Sequence, residues 1–235
     1  MGRGRFITIE GGEGAGKSTQ VPLLVAALER AGYPALATRE PGGSPGAEAI
    51  RRLLLEGEGE RWDAAGEALL LVAARRDHVA RLIAPALARG VWVVCDRFAD
   101  STRAYQGYGR GLAADDIAAL HRFALGDFAP DLTLILDLPV EIGLARVAAR
   151  DAAGDRFERL DLGFHERLRR GFREIAAAEP TRCVLIDATP EPQAVHRAML
   201  KAIVERLGVD ARRAAAHPGP RPARGEREGP ASAGG

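Results

Sequence analysis

Residues 6–19 read Phe6-Ile-Thr-Ile-Glu-Gly-Gly-Glu-Gly-Ala-Gly-Lys-Ser-Thr19, a β-prone run that leads through a glycine-rich turn into a helical stretch. The turn from Gly11 to Ser18 matches the pattern Gly-x-x-x-x-Gly-Lys-Ser/Thr in full. Glycines let the backbone curl until several N–H groups face one anion, and the helix N-terminus adds about half a positive charge. The segment therefore predicts a phosphate-binding loop for a nucleoside triphosphate.

Each part of this loop has an expected role at the triphosphate. Lys17 is expected to reach the β- and γ-phosphates, and Ser18 offers a hydroxyl to Mg²⁺. Lys17 and Lys201 are the only lysines of the chain, so a lysine here indicates a site that needs a compact ammonium. The residues predicted to bind the nucleoside triphosphate are Gly11, Gly12, Glu13, Gly14, Ala15, Gly16, Lys17, Ser18 and Thr19.

Further strand-like runs alternate with helical patterns along the chain. Apolar runs of this kind are typical of strands buried on both faces of a parallel sheet. We expect helices at 17–30, 47–55 and 64–89, the last interrupted near Pro85. The pattern predicts an α/β fold, a doubly wound parallel sheet flanked by helices, in one domain over residues 1–210. The later strands are predicted at Tyr33–Thr38, Val91–Cys95, Leu132–Leu136 and Val184–Ile186.

Gly11, Arg39 and Asp96 each follow a predicted strand, and the carboxyl ends of parallel strands meet at one edge of a sheet. These residues are therefore expected at one crevice. Asp96 is predicted to hold Mg²⁺ through water, and the adjacent Arg97 to bind a phosphate. Taken alone, Asp96 is equally compatible with a turn cap and Arg97 with an ion pair.

Composition excludes several classes of function. The 235 residues carry a net charge of +1, so no global field favours nucleic acid or a membrane surface. No apolar run approaches the roughly 20 residues that span a bilayer, and Met1–Arg5 is too short and polar for a signal peptide. The two cysteines match no metal-ligand spacing. We expect a cytoplasmic protein without nucleic-acid or membrane partners.

Several segments together closely resemble the thymidylate kinase family. They follow the family's order and spacing over about residues 5–207, and the run from Ser101 is the most specific. The resemblance implies a P-loop nucleoside monophosphate kinase fold, Mg²⁺ as cofactor, and transfer of the γ-phosphate of ATP to dTMP. It also implies a homodimer packed through helices such as 64–87. The segments are 6–19, Thr38-Arg-Glu-Pro-Gly-Gly43, Ala73-Ala-Arg75, Asp96-Arg-Phe98, Ser101-Thr-Arg-Ala-Tyr-Gln-Gly-Tyr-Gly-Arg-Gly111 and Asp155-Arg-Phe-Glu158.

The same resemblance assigns the acceptor site. Arg97 would hold the acceptor phosphate, and Arg75 would donate to thymine O4, which a 4-amino pyrimidine lacks. Thr102 and Gln106 would complete the polar contacts to base and sugar. An ion pair on the surface is the alternative role of Arg75.

Three more residues are expected around the acceptor nucleoside. Tyr105 would lie under the deoxyribose, with core packing as its alternative, and Pro41 would wall the base. Glu13 would face the acceptor sugar or a cation, because a carboxylate repels phosphate; its alternative is a solvent-facing side chain. Leu71 stands where the family often has an aromatic residue. Leucine cannot stack on thymine, so we expect affinity for the base to be weaker by about 1 kcal/mol.

The resemblance also implies a lid over ATP at about residues 146–160. In this branch of the family the lid supplies the transition-state arginine, and residues 11–19 indeed contain none. Arg150 and Arg156 are the candidates, with ordinary solvated charges as the alternative. Leu160 replaces a commonly acidic residue and receives no role.

Two rival functions share the phosphate-binding loop. A kinase for another nucleoside or nucleotide would need a different base pocket. A nucleotide-dependent switch or scaffold would need no acceptor site, so segments 96–97 and 101–111 argue against it.

Residues 211–235 are rich in proline and glycine and lack apolar periodicity, so we predict a disordered tail. Deleting the chain after Arg212 should leave activity and melting temperature nearly unchanged, because such a tail makes no packed contacts. Thermal melting of both forms is the measurement. A decrease of more than about 5 °C, on the order of 1–2 kcal/mol, would mean that the tail packs on the fold.

Overall fold

The computed structural model describes residues 2–56, 61–150, 157 and 160–210. Five parallel strands form one sheet in the order β2-β3-β1-β4-β5, which confirms the doubly wound parallel sheet expected from the sequence. The tail at 211–235 lies outside the described residues. The strands are β1 Phe6–Gly11, β2 Ala35–Arg39, β3 Trp92–Asp96, β4 Leu132–Asp137 and β5 Cys183–Asp187.

Helices cover both faces of this sheet, which is why β1 and β3 are apolar along most of their length. Side chains alternate across β1, so Ile7 and Ile9 pack toward α1 and α9, while Phe6 packs toward Phe98 on the other face. The helices are α1 Lys17–Arg30, α2 Pro45–Leu55, α3 Ala64–His78, α4 Ala84–Ala88, α5 Ala99–Thr102, α6 Ala114–Leu125, α7 Val140–Arg150, α8 Leu162–Ala178 and α9 Pro192–Leu207.

The stretch expected to be one long helix at 64–89 is divided in the structure. A π-helical segment, Val79–Ile83, separates α3 from α4. Pro85 stands in the first turn of α4, where its missing N–H and its ring oppose a regular helical bond to the preceding turn. A wider π turn accommodates the proline. A second π segment, Arg103–Gly109, continues α5, and such segments are frequent at functional sites.

The strand register brings the predicted residues to one edge of the sheet. Asp96 pairs in register with Ile9 of β1 and with Arg39 of β2. The phosphate-binding loop follows β1 directly and leads into α1 at Lys17. Helix α7 packs closely on this loop, since a Cβ atom at Gly143 would lie 2.4 Å from the carbonyl oxygen of Glu13. The loop conformation therefore depends on a glycine in a distant helix.

Among the described residues, no helix has the length and apolar composition that would let it cross a membrane.

Candidate active site

A cavity of about 660 Å³ opens at the carboxyl edge of the sheet. Its size falls within the usual range for small-molecule sites. The phosphate-binding loop and α1 line one end, α3 and the segment 101–106 line the other, and the end of β3 lies between them. Residues far apart in sequence therefore enclose one space.

Lys17 is the cation at the loop end of the cavity. Its side chain is buried, and Nζ donates to the carbonyl oxygens of Gly11 at 3.1 Å and Gly12 at 2.8 Å. Burial lowers the pKa of the Lys17 ammonium, and repulsion from Arg97 acts in the same direction. Of the predicted loop residues, those from Glu13 to Thr19 line the cavity, while Gly11 and Gly12 stand behind it as acceptors for Lys17.

Asp96 and Ser18 provide oxygen atoms that fit Mg²⁺. The Asp96 Oδ1 atom is buried and has no hydrogen-bond partner among the described residues. A buried carboxylate oxygen is costly unless a ligand satisfies it. The exposed Ser18 hydroxyl lines the same cavity. The described residues contain no cluster of three or more His, Cys, Asp or Glu suited to a metal, so such an ion needs ligand oxygens as well.

Arg97 links the end of β3 to the phosphate-binding loop. Its Nη2 donates to Glu13 Oε1 at 2.8 Å, and its Nη1 donates to the Gly11 carbonyl at 3.1 Å and to Ser101 Oγ at 3.3 Å. The guanidinium carbon also lies 4.9 Å from the ring centroid of Tyr105. Arg97 has φ of 70°, a left-handed conformation unusual for a residue with a side chain.

Glu13 is held inside the site and is not a free surface carboxylate. Its Oε1 accepts hydrogen bonds from Arg97 and from the Tyr105 hydroxyl. Burial by itself raises the pKa of Glu13, but the charges of Arg97 and Lys17 outweigh it and lower the pKa to about 2. The negative charge of Glu13 is therefore retained across the physiological range, where it holds Arg97 and Tyr105 in place.

Glu10 supports the Arg97 turn from within the sheet, a role that sequence reasoning missed. Its Oε1 accepts from the Phe98 N–H at 2.7 Å, and its Oε2 accepts from the Ser101 hydroxyl at 2.5 Å. Burial, then the nearby Asp100, raise the pKa of Glu10 to about 8. The available signal was a glutamate inside the apolar run of β1.

Arg75 is buried at the other end of the cavity, so the surface ion pair considered from sequence is wrong. Its Nε donates to Glu40 Oε2 at 2.6 Å, and its Nη2 donates to Thr102 Oγ1 and to the Phe98 carbonyl, both at 3.0 Å. Nη1 has no hydrogen-bond partner among the described residues. The guanidinium is thus fixed on one side and available on the other.

Glu40 and His78 form the support behind Arg75, and neither was singled out from sequence. Glu40 Oε1 lies 3.1 Å from His78 Nδ1, and His78 Nε2 lies 2.8 Å from Thr38 Oγ1. Nε2 accepts if Thr38 donates, which leaves Nδ1 as the donor to Glu40. The sequence signal for Glu40 was its place between the predicted strand and Pro41. In the structure, Pro41 follows a cis peptide bond and lines the cavity.

The remaining predicted acceptor residues lie on two neighbouring elements. Leu71 projects from α3, and Tyr105 and Gln106 come from the second π segment; all three line the cavity together with Thr102. Arg51 and Phe157 also line it, and sequence reasoning had assigned neither a role. The Phe157 ring meets Tyr105 edge to face, with centroids 5.6 Å apart.

The two lid arginines cannot be located at the cavity. Arg156 lies outside the described residues, and Arg150 ends α7 with a side chain outside the description. Arg146, the third arginine of that stretch, lines the cavity, and its Nη1 lies 3.4 Å from the Ala188 carbonyl oxygen.

Comparison with known proteins identifies the family. The family model described as thymidylate kinase matches residues 9–199. The chain is 58% identical over 209 residues to the thymidylate kinase of Caulobacter vibrioides, covering 89% of this chain and all of that protein. It is 60% identical over 208 residues to that of Rhodopseudomonas palustris strain CGA009, covering 87% and 90% respectively. The crystal structure of thymidylate kinase from Ehrlichia chaffeensis superimposes with a TM-score of 0.70 at 34% identity, over 86% of this chain and 99% of that one.

Replacing Glu40 by Gln should strongly destabilise the protein, because it leaves the buried Arg75 guanidinium without its anionic partner. Breaking a buried ion pair costs about 3–5 kcal/mol, which corresponds to a melting temperature lower by roughly 6–20 °C in a chain of this size. Thermal melting measures this. Glu205→Gln is the matched control, since it breaks the exposed pair with Lys201 and should change stability by less than about 0.5 kcal/mol. Equal melting temperatures for the two variants would contradict the prediction.

Proposed function

This chain belongs to the thymidylate kinase family of phosphotransferases, and we propose that its cavity transfers the γ-phosphate of ATP to dTMP, giving dTDP and ADP for dTTP synthesis. The observation that carries the proposal is the arrangement of one cavity between a phosphate-binding loop and two arginines, the partly buried Arg97 and the buried Arg75. Each arginine keeps one side toward that cavity. ATP fits the loop end and the acceptor nucleotide the opposite end.

At the loop end, residues 11–19 bind the ATP phosphates. Backbone N–H groups and the α1 N-terminus face the anion, and Lys17 exchanges its carbonyl acceptors for phosphate oxygens. Ser18 and Asp96 would hold Mg²⁺, which would neutralise charge on the ATP phosphates. The unpartnered Oδ1 of Asp96 supports this assignment.

At the acceptor end, Arg97 binds the phosphate of dTMP and aligns one of its oxygens with the γ-phosphorus. No covalent enzyme intermediate is needed, because the acceptor oxygen attacks in line and catalysis consists of positioning and charge neutralisation. Glu13 and Tyr105 hold Arg97 before the acceptor arrives. Tyr105 then lies under the deoxyribose, where it would crowd a 2′-hydroxyl.

The base lies between Pro41, Leu71 and Arg75. The free Nη1 of Arg75 donates to O4 of thymine, and the 4-amino group of cytosine cannot accept that hydrogen bond. Thr102 and Gln106 complete the polar contacts. Leu71 gives apolar contact without aromatic stacking.

We also propose a domain organisation for the chain. Residues 1–210 form one kinase domain, with a lid at about 146–160 that covers ATP and excludes water. Arg150 or Arg156 on this lid supplies the positive charge that stabilises the transition state. The position of Arg146 on the cavity wall supports a lid that begins there. The cytoplasm is the proposed location.

A homodimer is the proposed assembly. Phe123 on α6 is 93% exposed and Leu69 on α3 is 57% exposed, and these two helices pack side by side. Large apolar side chains on adjacent helices favour an interface between copies.

The proposed function is tested by Lys17→Ala together with a panel of acceptors. The wild-type protein with ATP and Mg²⁺ should phosphorylate dTMP in preference to the monophosphates of cytidine, uridine and adenosine. Lys17→Ala should abolish this turnover without a large change in melting temperature, because the ammonium acts on the transferring phosphoryl group. Lys201→Ala removes the only other lysine, which is exposed, and should keep full activity. Near-normal turnover by folded Lys17→Ala would refute the assignment.

The dimer is tested by Phe123→Glu, which places a charge in the proposed interface. Sedimentation should give a dimer for the wild type and a monomer for the variant. Leu185→Glu adds the same charge at an exposed position of the edge strand β5 and should remain dimeric. A monomeric wild type would rule out the proposed assembly.

A further inference from the structure

Two polar contacts join α3 to the segment that begins at α5. Residues 67, 71 and 75 are spaced by four on α3 and so share one helix face. Arg75 reaches Thr102 Oγ1 at 3.0 Å. Gln106, four residues after Thr102, donates from Nε2 to Oε2 of Glu67, eight residues before Arg75, at 2.9 Å. Leu71 lies between these contacts and lines the cavity. The two contacts therefore bracket the space in which the base is proposed to bind.

Glu67 fixes the orientation of the Gln106 amide. A carboxylate accepts hydrogen bonds and an amide NH₂ donates them, so Gln106 must turn Nε2 toward Glu67. Glu67 is fully buried and also lies 3.4 Å from Arg110 Nη2, which balances its charge. Gln106 Oε1 is buried and has no hydrogen-bond partner among the described residues, although Gln106 lines the cavity.

We propose that Glu67 is a positioning residue for base selection, which holds Gln106 so that the amide carbonyl accepts a hydrogen bond from the base. This inference rests on the proposed function. The base would then meet two groups, the free Nη1 of Arg75 as donor and the Gln106 amide carbonyl as acceptor. Thymine presents O4 beside N3–H and satisfies both. Cytosine presents a donor and an acceptor in the opposite order.

The unpartnered carbonyl of Gln106 makes the site selective among bases. A buried acceptor without a partner is costly, and the correct base relieves that cost on binding. A base with an acceptor at the same position leaves two acceptors facing each other. Sites built in this way reject mismatched analogues more strongly than apolar pockets do. Glu67 would thus act on the choice of base without touching it.

The experiment measures kcat/KM for dTMP, dUMP and dCMP in four forms: wild type, Glu67→Gln, Gln106→Leu and the double variant. An amide at position 67 donates or accepts equally well, so Gln106 can reverse its orientation. We expect the dTMP-to-dCMP ratio to fall about tenfold in Glu67→Gln. The dTMP-to-dUMP ratio and the KM for ATP should not change, because uracil has the same edge and ATP binds elsewhere.

The double variant shows whether Glu67 acts through Gln106. Gln106→Leu should lower the dTMP-to-dCMP ratio by a similar factor, and adding Glu67→Gln should lower it no further. Asp77→Asn removes a carboxylate from the same helix, outside the cavity, and should keep the wild-type ratio. A purely structural role of Glu67 would lower kcat/KM for both pyrimidines equally, and that result would overturn the proposal.

The outcomes separate the inference from the function on which it rests. If the wild type does not phosphorylate dTMP, the proposed function fails and the inference falls with it. If the wild type prefers dTMP and Glu67→Gln keeps that preference, only the inference is overturned. Should Glu67→Gln fail to fold, Gln106→Leu still decides, since an unchanged ratio there also overturns the proposal.

Discussion

The ion pair between Arg97 and Glu13 joins the end of β3 to the phosphate-binding loop, and both ends of the cavity depend on it. Arg97 adopts a left-handed backbone conformation that costs on the order of 1–3 kcal/mol and persists only where other contacts hold it. Those contacts are the pair with Glu13, the hydrogen bond to Gly11, and Glu10 beneath the following turn. This strained conformation places the Arg97 guanidinium at the wall of the cavity.

Four glutamates at the cavity have a common function in this architecture. Glu10 holds the turn after Arg97, Glu13 holds Arg97 itself, Glu40 holds Arg75, and Glu67 holds Gln106. Each accepts hydrogen bonds on one side of a group whose other side faces the cavity. Two of these contacts are ion pairs, Glu13 with Arg97 and Glu40 with Arg75, and they let two guanidiniums share the cavity wall, since an unpaired buried charge would carry a large desolvation cost.

The five strands and the loop were predictable because their signals are local. Short apolar runs, each ended by a glycine or a charged residue, mark β1, β3, β4 and β5, and the glycine spacing of residues 11–18 dictates the loop. The supporting glutamates were not predictable in this way. Glu10 and Phe98 are 88 residues apart, and Glu40 and Arg75 are 35 apart, so no spacing rule relates them. The π turn before Pro85 was anticipated only as an interruption, because the proline signals a break but not its geometry.

The sequence by itself determined the fold class, the phosphate-binding loop, and the identity of the residues that gather at the carboxyl edge of the sheet, because strand formation and glycine geometry follow from local chemistry. The tertiary structure alone decided how those residues are used. It buried Arg75 against Glu40 and left Nη1 free, and it turned the Gln106 amide by placing Glu67 against it. The physical reason is that the direction of a hydrogen bond depends on which partner folding brings within 3 Å, and that partner lies far away along the chain.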